Sequence, residues 1–72
     1  MRKDGYVHFP VLETEMTKRG IFKRDIIGLI GIEASTLSYK INGKREFTLD
    51  EALAIWRKWF SDIPVDELFM HN

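Results

Sequence analysis

The stretch IFKRDIIGLIGIEASTLSYKING, residues 21–43, contains two short helical patterns separated by one glycine. In the first, Ile26, Ile27 and Ile30 share one side of a helix beginning at Lys23, and Gly31 breaks it after about two turns. In the second, Leu37 and Ile41 point inward from a helix running from Ala34 to about Ile41. Asn42-Gly43, a pair suited to left-handed backbone, ends it. With Leu37 and Ile41 assigned to the core, Ala34, Ser35, Ser38 and Tyr39 are left on the outer face, with Thr36 and Lys40 on its flanks.

On the N-terminal side, Pro10 suits the first turn of a helix whose Phe9, Leu12 and Met16 line one face. Gly20 stops that helix by taking a positive φ, and Ile21 packs back on its last turn. On the C-terminal side, Thr48 and Glu51 form a capping box, and Phe47 is placed to staple against Ala52. Leu49, Leu53, Trp56 and Phe60 are the expected core face of this fourth helix. Ala52, Ile55 and Trp59 form a second apolar stripe, more than one side of so small a domain requires. A short closing helix from about Pro64 to Met70 carries Val65, Leu68 and Phe69. No run of alternating residues argues for a strand, so the fold class is all-α. Seventy-two residues suffice for one domain over 1–72, with residues 1–8 a loosely ordered lead-in.

Formal net charge is zero, but it is unevenly distributed. Lys18, Arg19, Lys23, Arg24, Lys40, Lys44 and Arg45 oppose only Asp25 and Glu33 across residues 17–45, a net of +5, whereas residues 46–72 carry −4. A basic centre of this kind suits a polyanionic partner. Cysteine is absent, so neither a disulfide framework nor a thiolate metal site is available. The charged start lacks a following apolar run, and Ile26 to Ile32 is far too short for a bilayer. The expectation is a cytoplasmic protein, prokaryotic or phage-encoded, with no membrane partner.

The pattern from Ile21 through Gly31 to Gly43 resembles the helix-turn-helix of the lambda-repressor-like, Cro-type family, which includes small phage repressors. Thr36-Leu-Ser38, Ile41-Asn-Gly-Lys-Arg45, Phe47-Thr-Leu-Asp-Glu-Ala52 and Asp66-Glu-Leu-Phe69 are similar to its later elements in the same order. The resemblance covers roughly residues 9–70. It implies a five-helix DNA-binding domain with its helix-turn-helix at about residues 23–42, the third helix in the major groove and the second crossing above the backbone. Ala34, Ser35 and Tyr39 then fall at positions used for base edges, with Ser38 on the same face. Ala34 suits a thymine methyl, and Ser35 and Tyr39 offer hydroxyls. Lys23, Arg24, Lys40, Asn42, Lys44 and Arg45 are the expected phosphate contacts. The chain departs from the family at Ile27, where Ala is usual, at Phe22, which replaces a Ser or Thr cap, and at Glu33, which suits the helix dipole but repels phosphate.

The resulting expectation is a sequence-specific transcriptional regulator, a repressor or Cro-like switch, acting on double-stranded DNA with a palindromic operator. A homodimer is implied, because one reading helix covers only half a site. Ile55, Trp59, Val65, Phe69 and Met70 are its candidate interface. The alternative is a protein-interaction module on the same fold, such as an antitoxin or anti-repressor, using Trp56, Trp59, Phe60 and Phe69. No enzyme, cofactor, metal or small-molecule substrate is expected. His8 and His71 lie near opposite ends of the sequence without a third ligand, and no spacing organises Ser, His and Asp for nucleophilic attack.

Overall fold

The computed structural model describes residues 7–72, and within them the protein is all-helical, with no strand. Its five helices are α1 (Pro10–Arg19), α2 (Lys23–Ile30), α3 (Ala34–Ile41), α4 (Leu49–Trp59) and α5 (Val65–Leu68). Helix α2 packs on both α3 and α4, and α5 packs on α1 and α4.

Local chemistry sets the helix ends. At the close of α1, Gly20 has φ +68°, and the amide of Ile21 donates to the Met16 carbonyl at 2.9 Å, so the buried Ile21 folds back as its spacing suggests. Gly31 has φ +69° and ends α2 through a bond to the Ile27 carbonyl at 2.9 Å. After α3, Asn42 keeps a negative φ and Gly43 alone turns left-handed at +82°, so the expected pair reduces to its glycine. The capping box of α4 is present in full: the Glu51 amide donates to Thr48 Oγ1 at 3.1 Å, and the Thr48 amide donates to Glu51 Oε1 at 3.0 Å.

Leu12, Ile26, Leu37, Ile41, Ile55, Phe60 and Leu68 are fully buried, so every helix, or the residue just past it, contributes to one core. The faces expected for α1, α2 and α3 are the faces observed, with Ile27 and Ile30 half-buried against that core. Helix α4 is different. Ile55 is completely buried and Trp56 and Trp59 pack on the core, whereas Leu49 is 73% exposed. Both stripes contribute to the core, Ile55 from the one that looked surplus and Trp56 and Phe60 from the expected face, because α2 lies on α4 and the connection to α5 returns over Trp56, whose Nε1–H donates to the Ile63 carbonyl. Ile55 is therefore core, not interface.

Two long-range ties close the domain. Arg19, at the end of α1, donates to both oxygens of Asp62 at 2.8 Å, to the Trp59 carbonyl at 2.6 Å and to Glu15 at 3.1 Å. The hydrogen bonds with Asp62 raise the Arg19 pKa and hold the Asp62 carboxyl below its ordinary range. The second tie joins the ends of the described chain, where the Asn72 amide donates to the His8 carbonyl at 2.9 Å and its side chain donates to that of Val7. The His8 and His71 rings stack with centroids 4.9 Å apart and planes 9° apart, so histidines distant in sequence are neighbours in space. Of the lead-in expected to be loosely ordered, residues 1–6 lie outside the described residues, and Val7 and His8 carry these bonds.

Candidate nucleic-acid interface

Helices α2 and α3, with Gly31, Ile32 and Glu33 between them, form a short helix pair anchored by Ile26, Leu37 and Ile41. Once those side chains are inward, the rest of α3 is turned out. Ala34 and Ser35 are exposed, Ser38 is partly exposed and Tyr39 is 48% exposed. The structure brings the four proposed base-reading residues onto one accessible face of one helix. Its residues are small or hydroxyl-bearing apart from the Tyr39 ring, a composition compatible with the width and depth of a major groove.

The basic residues divide into two groups. Lys23 and Arg24, in the first turn of α2, and Lys44 and Arg45, just past α3, are exposed and form no ion pair among the described residues. Lys40 is a correction to the sequence reading. It is only 6% exposed, and its Nζ donates to Glu51 Oε1 at 2.7 Å and to the Glu46 carbonyl at 3.1 Å, 5.9 Å from the centre of the Phe47 ring. An ammonium so enclosed cannot reach a phosphate without breaking the tie between α3 and α4. Arg19, too, is committed within the fold. Half-buried Asn42 follows directly on α3, its amide donating to the Ser38 carbonyl at 3.0 Å.

Glu51 thus serves two partners with one oxygen. Burial alone pushes its carboxyl up, but the hydrogen bonds from Lys40 and Thr48 and the charge of Lys40 outweigh burial and hold it below the ordinary carboxylate range. Sequence reading saw only the capping half of this. The missed signal was that Lys40 lies three residues past Leu37, on the inner flank of α3.

Phe22, where a hydroxyl cap was missing, resolves otherwise. Its backbone N–H donates to Asp25 Oδ2 at 2.8 Å, so the acid three residues on caps the start of α2 without help from residue 22's side chain. That side chain is 57% exposed and carries the Arg24 guanidinium over its ring at 4.9 Å from the centroid. Glu33, the residue before α3, makes no side-chain cap bond.

The aromatic surface considered for a protein partner is largely consumed by the fold. Phe60 is buried, Trp56 and Trp59 are half-buried on the core, and Phe69 packs edge-on against Phe9 and Phe47 at 6.1 and 5.5 Å. Of the expected interface, Met70 is 56% exposed and Val65 partly so. No helix among the described residues is long and apolar enough to cross a membrane. Comparisons with models of protein families, with curated proteins and with solved structures found no match.

Proposed function

We propose that this protein is a sequence-specific DNA-binding regulator that inserts α3 into the major groove. One observation carries the reading: Ala34, Ser35, Ser38 and Tyr39 form an accessible, uncharged face on a helix bracketed along the chain by four exposed cations that form no ion pair among the described residues. Base edges are read by small and hydroxyl side chains, and phosphates by Lys23, Arg24, Lys44 and Arg45, with Asn42 as a further donor at the end of α3. The zero net charge is no obstacle. Asp62 and Glu51 are paired with Arg19 and Lys40 of the same chain, and phosphate attraction depends on the local field.

One such module buries too little surface for tight specific binding, so the reading includes a second copy related by a two-fold axis and a palindromic operator. With Ile55 in the core, what remains accessible of the expected contact surface is Met70 and the exposed parts of Trp59, Val65 and Phe69. Replacing Lys44 and Arg45 together by Ala tests the reading in a salt-titrated duplex-binding assay. The slope of log K against log salt should fall by roughly one unit for each phosphate no longer bound per chain, on specific and mixed-sequence duplexes alike. An unchanged slope removes the loop from the interface.

A further inference from the structure

Phe22 is a large aromatic side chain that the fold does not use. It is 57% exposed, it stands apart from the residues packed on the core, and capping of α2 runs through its backbone and Asp25. Yet it is not idle, because the Arg24 guanidinium lies over its ring at 4.9 Å, within the range of a cation–π contact. A groove of about 480 Å³ beside them is lined by Glu13, Thr17, Phe22, Lys23 and Arg24, and Glu13 Oε2 is buried there without a hydrogen-bond partner among the described residues. The Arg24 guanidinium forms no ion pair with that carboxylate or with any other among the described residues. Resting on the ring instead, it keeps its N–H groups unspent.

We infer that Phe22 is a positioning residue for the anion contact made by Arg24: its ring holds the guanidinium at the head of α2, oriented for a DNA phosphate. The inference rests on the DNA-binding reading and adds to it a residue whose side chain touches no DNA. A cation–π contact fixes position while leaving the edge donors of the guanidinium free, so it suits an arginine that must remain exposed and ordered at once. Holding the side chain before binding removes part of the ordering cost of the complex.

The test is a double-mutant cycle on duplex affinity. Phe22→Leu keeps an apolar side chain without a π face and should weaken binding about two- to fivefold per chain, whereas Phe22→Trp should bind at least as well as the native protein. Thermal stability should be unchanged in both, because the ring lies outside the core. In an Arg24→Ala background, Phe22→Leu should have no further effect. In parallel, the Arg24 side-chain protons should show an upfield ring-current shift by NMR in the free native protein that vanishes in Phe22→Leu. Equal weakening with and without Arg24, native-like affinity in Phe22→Leu, or no ring-current shift would overturn the inference while leaving DNA binding intact. Failure of the native protein to bind any duplex would overturn both.

Discussion

Lys40→Met separates an internal ion pair from a DNA contact. The native lysine is 6% exposed and its ammonium has two acceptors, Glu51 Oε1 at 2.7 Å and the Glu46 carbonyl at 3.1 Å. Met retains the apolar stem and removes the charge, leaving the Glu51 carboxylate with its bonds from Thr48. Removing one member of a fully buried pair costs about 3–5 kcal/mol. The Glu51 side chain is 18% exposed and keeps the Thr48 amide at 3.0 Å, so partial hydration offsets some of that cost. The expected destabilisation is about 2–3 kcal/mol, a fall in Tm of about 10–20 °C for a domain of this size. Circular dichroism on heating and in urea reads the stability. Duplex binding, measured well below the transition, should keep the native salt slope. A stability change below about 0.5 kcal/mol, the range of ordinary surface substitutions, together with a shallower slope would refute the reasoning and return Lys40 to the DNA face.

The same pair makes an acid-sensitive contribution. Because the Glu51 pKa is lower in the folded than in the unfolded chain, its stabilisation is whole above the unfolded carboxylate value of about 4.3 and is lost as pH falls through the lower folded value. Glu51→Gln should therefore flatten the acid limb of the urea stability curve, and a limb of unchanged steepness would exclude Glu51 as its source. At Gly43, φ is +82° and an added Cβ would meet the His8 ring at 2.6 Å, so Gly43→Ala combines about 1–2 kcal/mol of backbone strain with a steric clash. Urea midpoints should show the clash portion recovered in a His8→Ala background, and equal destabilisation in both backgrounds would show that the ring simply moves aside.

Much of the fold was legible because its punctuation is local. Gly20, Gly31, Pro10 and the Thr48–Glu51 box each fix a helix end through the backbone or a partner three residues away, and each does so in the structure. The inward faces of α1 to α3 followed from spacing alone. The orientation of α4 did not, since apolar residues surround most of that helix and its burial depends on where α2 and the return through Ile63 lie. At the candidate site, the exposure of Ala34, Ser35 and Tyr39 followed from assigning Leu37 and Ile41 to the core. The burial of Lys40 was missed because its partner lies eleven residues away on another helix. His8 and His71, sixty-three positions apart, met through a backbone bond from Asn72 to His8 that side-chain pattern does not encode.

The most direct measurement is selection of bound sites from a random duplex pool by the native chain at moderate salt, followed by titration of the enriched sequence. The expected result is a motif of two inverted half-sites with centres about one helical turn, roughly 34 Å, apart. Its affinity should exceed that for mixed sequence by about a thousandfold or more and fall steeply as salt rises. A pool that remains unenriched, with no salt-dependent retention of any duplex, would contradict the assignment of α3 to the major groove.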